Sequence, residues 1–183
     1  MRPVKGDYNE YYQVYLDLTK GEDIFRILIE QNLESQNILN SFSESKGNYS
    51  YAEGKWTIKE VIGHMMDVER IFAYRALAIA RGESKPLPGM DQDLYVKNGN
   101  FNKRQLFDLI YEYRLVRESN ILLFGSFDKS VLNNRGIASG YEVTVLALMY
   151  MIAGHEKHHL NILMDRYMWS LKSPYKLHLE FFE

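Results

Sequence analysis

Cysteine is absent from this 183-residue chain, which removes disulfides, zinc ribbons and cysteine nucleophiles together and fits a reducing compartment. Proline is scarce, with only four residues, so a Pro-rich linker is excluded. There is no basic excess: 22 Lys and Arg stand against 24 Asp and Glu, for a formal charge of −2. The electrostatic footprint of a nucleic-acid binder is therefore missing. No apolar run reaches the roughly 18 residues that span a bilayer, and the longest, Val143 to Gly154, has the length of a buried core helix. The first residues lack the apolar centre and cleavage site of a signal peptide. The expectation is one cytoplasmic domain over 1–183, with a core over about 23–168, that binds neither membrane nor nucleic acid.

What the chain does have is helical periodicity. Four segments carry a 3.6-residue apolar stripe. The first runs from Ile24 to Phe42, with Gln31 and Ser35 interrupting its inner face. The second opens on Thr57 and Glu60, the spacing of a capping box, with Trp56 and Val61 as a hydrophobic staple. It ends at Gly82, a C′ glycine. The third starts at Asn102 with Gln105 three residues on and continues through Leu123. The fourth spans about Val143 to Met168, capped by Ser139 and Glu142. Strand signals are confined to a weak alternation over Tyr175 to Phe182. Helices of 20 to 28 residues are about 30–40 Å long, and a 13-residue connection extends to about 43 Å. Each long loop can therefore cross a full helix, which gives an all-α four-helix bundle with long crossover loops.

Three of five histidines fall where apolar residues belong. The inward stripe of the fourth segment reads Leu148, Ile152, His155, His159, Ile162, and His64 lies between Val61 and Val68 on the second. Two imidazoles one turn apart on one face can reach one ion, and His64 can join them across the bundle. Hydrogen-bonded core histidines are the alternative. Yet two buried neutral imidazoles without partners cost about 1–3 kcal/mol each, a penalty that a metal removes. Gly63 and Gly154 precede His64 and His155 inside helices at about 1 kcal/mol each against alanine; close helix approach and room for a ligand are both open readings. His158 points to the flank, and His178 lies in the tail.

His155 to His159 also match H-E-x-x-H, which in a metalloprotease makes Glu156 the general base. The third ligand would have to come from Glu180, and no sheet is in evidence to bind a substrate strand, so this reading is disfavoured.

Trp56-Thr57-Ile58-Lys59-Glu60 with Gly63-His64, and Ala153-Gly154-His155-Glu156-Lys157-His158-His159-Leu160, resemble the DinB superfamily. Phe72-Ala73-Tyr74-Arg75-Ala76-Leu77 and Leu87-Pro88-Gly89-Met90-Asp91 are similar to one branch of it. The resemblance covers about Asp23 to Met168. It implies an up-up-down-down four-helix bundle, a divalent metal on His64, His155 and His159, and frequent homodimers. Relatives include bacillithiol-using thiol S-transferases, mycothiol-dependent isomerases and metal-dependent hydrolases.

A three-histidine site leaves coordination positions open, the mark of a catalytic metal centre. Two chemistries follow for a small-molecule substrate: activation of a low-molecular-weight thiol, which must be a cosubstrate because the chain has no cysteine, or activation of water. A non-catalytic metal-binding module is the further alternative, and a metal-free scaffold ranks last. Zinc or nickel comes first among the ions, with iron, cobalt and manganese compatible. No general base is assigned. Glu156 flanks the ligand stripe, Glu60 is explained by its capping box, and Asp91 and Asp93 sit on a long loop that can fold over the site.

Overall fold

The computed structural model describes residues 1–168. The expected Tyr175–Phe182 strand, and with it His178 and Glu180, lies outside the described residues. Four long helices dominate: α2 (Ile24–Leu39), α3 (Ile58–Ala80), α5 (Leu106–Gly125) and α6 (Val145–Ile162). Two short ones also form: α1 (Gln13–Leu16) in the extension before the core, and α4 (Gln92–Gly99) within the long connection after Gly82. A π-helical turn over Leu163–Met168 extends α6. The all-α four-helix bundle with long crossovers is thus borne out. Among the described residues, no helix is long and apolar enough to cross a membrane.

Contacts at the helix ends give the chain path. Glu44, just beyond α2, binds both Lys59 Nζ at the start of α3 and the Leu106 N–H at the start of α5, each at 2.6 Å. Tyr167, just beyond α6, donates to the Trp56 carbonyl at 2.5 Å. The C-termini of α2 and α6 and the N-termini of α3 and α5 therefore share one end of the bundle. The helices run up, down, down, up, with one full-length crossing between α3 and α5. This corrects the up-up-down-down order implied by resemblance, in which α2 would run parallel to α3 and α5 to α6; here α2 runs parallel to α6 and α3 to α5.

The start of α3 follows the sequence closely. Thr57 accepts from the Glu60 N–H at 3.2 Å, and the Glu60 carboxylate accepts from the Thr57 N–H at 2.8 Å. The start of α5 does not. Asn102 lies in a 3-10 turn and bonds to Thr57 Oγ1 at 2.7 Å and Glu60 Oε1 at 2.9 Å. It completes the cap of α3, while the remote Glu44 carboxylate caps α5. The expected Ser139–Glu142 cap of α6 is also overturned. Ser139 and Gly140, with φ of 54° and 83°, form the two-residue turn of a hairpin between β1 (Arg135–Ala138) and β2 (Tyr141–Thr144). Positive φ at both central residues is what such a turn requires. Thr144 caps α6 instead, accepting from the Ala147 N–H at 3.1 Å.

Two separate apolar clusters fill the ends of the bundle, one around Leu28, Phe72 and Leu148 and the other around Leu39, Ile62 and Leu160. Between them lies a buried polar layer. Gln31 and Ser35 come from α2, His64 and Glu69 from α3, Arg117 and Asn120 from α5, and His155, Glu156 and His159 from α6. The interruption read at Gln31 and Ser35 is the α2 edge of this layer.

Candidate metal centre

His64 on α3 and His155 and His159 on α6 meet inside the bundle. The Nε2 atoms of His64 and His155 are 3.0 Å apart, and those of His155 and His159 are 3.1 Å apart. All three ligand atoms lie within 4.8 Å of one another. Two imidazole nitrogens at that separation can both lie about 2.1 Å from one ion. Hydrogen bonding alone satisfies the arrangement poorly, because His155 Nε2 has one lone pair or one N–H, depending on its tautomer, to share between both neighbours. The three rings therefore fit a divalent cation better than they fit each other.

Burial supports the same reading. It pushes the His64 imidazole down to about 4, and holds His155 and His159 well below the usual histidine range, with the neighbouring imidazoles adding to the effect. All three are neutral near pH 7, the state that binds a metal.

Both glycines beside the histidines serve close approach. A Cβ on Gly154 would stand 2.1 Å from the Tyr15 carbonyl oxygen, and one on Gly63 would stand 2.4 Å from the Phe101 ring. The contact at Gly154 lets α1 pack on α6, which sets the Tyr15 ring edge-on to His155 at 5.5 Å and to His158 at 5.4 Å. The Trp56 ring lies 4.7 Å from that of His64. His158 is half-buried and stays outside the cluster.

Glu156 turns to the other side of α6. It is 1% exposed and accepts from Arg117 Nη1 at 2.6 Å. Arg117 also grips Glu69 through Nε and Nη2, at 2.7 and 2.8 Å. Burial raises the Glu156 carboxyl, against the pull of Arg117. This carboxylate lines neither cleft described below, so the general-base role that H-E-x-x-H suggests is not available to it. The Glu69–Arg117–Glu156 network was not foreseen. Its one sequence signal is a charged Arg117 one turn after the inward Tyr113.

Two clefts reach the histidines. The first, of about 230 Å³, exposes His64 and His155 between Tyr12, Tyr15, Phe72 and Arg75. The second, of about 280 Å³, exposes His159 beside Trp56, Lys55 and Asp93. The segment at the start of α4 separates them, giving Met90 and Gln92 to one and Asp93 to the other. The long loop does fold over the site. Asp91 is spent as the cap of α4, accepting from the Asp93 and Leu94 N–H groups at 3.1 and 3.0 Å.

No curated protein matches the sequence. Among solved structures, YfiT from Bacillus subtilis, described as a probable metal-dependent hydrolase with an unusual four-helix bundle topology, shares 11% identity. It superposes with a TM-score of 0.72 over 94% of this chain and 95% of its own. A mycothiol-dependent maleylpyruvate isomerase superposes at 0.66 with 12% identity, over 80% of this chain and 61% of that one. At such identities the likeness is one of fold. The sequence pattern of the DinB superfamily matches residues 30–163, a stretch that holds all three histidines, and the chain belongs to that superfamily.

Proposed function

We propose that the protein is a metal-dependent enzyme in which His64, His155 and His159 hold one divalent ion, zinc or nickel first, and that it transfers a small thiol of the bacillithiol type to an electrophile. The observation that carries this reading is the pair of clefts that approach one three-histidine cluster from two sides. A two-substrate reaction needs two approaches. A divalent ion held there would lower the pKa of whatever fills its open positions, a thiol in one reading and a water in the other.

The chain's own residues do the rest. The neutral imidazoles leave the full charge of the ion to an anionic ligand. Tyr15, Phe72 and Trp56 wall the centre and limit water around it. The first cleft has no carboxylate among its described lining residues, which suits an incoming thiol that needs no separate base once bound.

A hydrolase is the second reading, and Asp93 favours it: its carboxylate lines the second cleft with His159, where it could accept a proton from an attacking water. The test is a turnover assay of metal-loaded protein with 1-chloro-2,4-dinitrobenzene and with p-nitrophenyl acetate, each with and without bacillithiol. Conjugation that requires thiol supports the transferase. Ester hydrolysis without thiol, lost in Asp93→Asn, supports the hydrolase. The homodimer is likewise a proposal, for which the exposed row Phe107, Tyr111 and Leu115 on α5 offers a face; light scattering tests it.

A further inference from the structure

Arg75 is a buried cation without a counter-ion. It lies on α3, three turns after His64 on the same face, and only 3% of it is exposed. Among the described residues no carboxylate lies within ion-pair distance of its guanidinium. Its bonds are to neutral groups: Nη2 donates to the Pro88 carbonyl at 2.7 Å and to Ser139 Oγ at 2.9 Å. Glu142 lines a crevice behind it but is bound to Arg135 at 3.1 Å. A buried charge left with neutral partners, the face of the Phe72 ring at 5.6 Å among them, keeps a desolvation cost that an anion would offset.

The surroundings hold Arg75 in place. The loop after α3 joins the hairpin edge, with the Leu87 N–H donating to the Ile137 carbonyl at 2.8 Å and the Ser139 N–H to the Leu87 carbonyl at 3.1 Å. That pairing fixes Pro88 and Ser139 against one nitrogen of the guanidinium. Arg75, with the Tyr12 hydroxyl beside it, lines the same cleft that exposes His64 and His155. The cleft thus has a fixed cation, the imidazoles of His64 and His155, and the apolar side chains of Val68 and Phe72 between them along α3.

We infer that Arg75 is a specificity-determining residue that holds the carboxylate of a small substrate with an apolar middle, whose reacting end reaches the histidines. The inference rests on the reading of the three histidines as a catalytic centre, but the carboxylate site itself needs no ion. Nη2 is taken by Pro88 and Ser139, so Arg75 meets the carboxylate with a charge-assisted hydrogen bond from its other N–H groups, and Tyr12 adds a hydroxyl donor.

Binding of 3-phenylpropionate and of its uncharged amide is measured by NMR titration, in zinc-loaded protein and in protein stripped of metal. The carboxylate binds about tenfold or more tightly than the amide in both forms, and Arg75→Gln reduces it to the level of the amide. Arg75→Lys, which keeps the charge, retains part of the preference. Equal affinity for acid and amide in the wild-type protein overturns the inference, and so does a preference that survives Arg75→Gln. The wild-type comparison stands even if a variant fails to fold. A preference present only with zinc, and indifferent to Arg75, places the carboxylate on the ion and also overturns it. If the protein takes up no zinc, the catalytic reading fails while the metal-free titration still decides the Arg75 site. Repeating the titration with 6-mercaptohexanoate shows whether the carboxylate belongs to the thiol or to its electrophile, by which probe loses more affinity in Arg75→Gln.

Discussion

Arg117 Nη1 donates to Glu156 Oε2 at 2.6 Å, and Glu156 is the residue that follows His155. Successive residues on a helix point about 100° apart. One face of α6 therefore supplies the histidine cluster, and the next is tied through Arg117 to Glu69 on α3, the helix that also carries His64. The ion network and the histidines are two halves of one polar layer joined by the same two helices.

Breaking that network from its centre leaves two buried carboxylates without a cation. Arg117→Met should lower stability by about 3–5 kcal/mol, as expected for a buried pair that loses one partner. Replacing Glu69, Arg117 and Glu156 together by apolar residues of similar size should recover most of the loss. Urea denaturation of the metal-free proteins measures both.

Acid should destabilise the metal-free protein through the histidines. In the unfolded chain they titrate near 6.5, whereas in the folded protein burial pushes His64 down to about 4. Between those values the unfolded chain binds more protons, so the contribution is complete above about 6.5 and is lost as pH falls toward 4, by up to about 3 kcal/mol. Glu156, raised by burial, acts in the opposite sense. The informative comparison is therefore denaturation of wild type and His64→Asn across pH 4–7, in which the variant should show the shallower acid loss.

Gly154→Ala and Gly125→Ala should differ in sign although both sit in helices. The added methyl at position 154 meets the Tyr15 backbone at 2.1 Å, while at 125 it meets nothing within 4 Å. Gly154→Ala should cost about 1–3 kcal/mol despite its better helix propensity, and Gly125→Ala should be neutral or stabilise by up to about 1 kcal/mol. Thermal melting of the two variants checks this.

The legible parts of the sequence were those decided by near neighbours. Thr57 and Glu60 are three residues apart, and the inward steps that carry His155 and His159 are local to one helix, so both the cap of α3 and the candidate ligands could be read. The cap of α5 could not, because Glu44 lies 62 residues before Leu106 and Asn102 is drawn to α3. The hairpin has four-residue strands, too short for alternation to show, with Ser139-Gly140 as its one signal. Arg75 escaped for the same reason as Glu44: its partners Pro88 and Ser139 are 13 and 64 residues away. Glu156 was placed beside the ligand stripe correctly, but only Arg117 on another helix reveals that it is sequestered.

The central claim is that His64, His155 and His159 bind one divalent ion. Its most direct test is elemental analysis and calorimetric titration with zinc and with nickel, on untagged wild-type protein and on His64→Ala, His155→Ala, His159→Ala and His158→Ala. The account predicts one ion per chain in wild type and His158→Ala, and loss of high-affinity binding in each of the other three. Wild-type protein that takes up neither ion in excess, or a His159→Ala variant that binds as tightly as wild type, would contradict it.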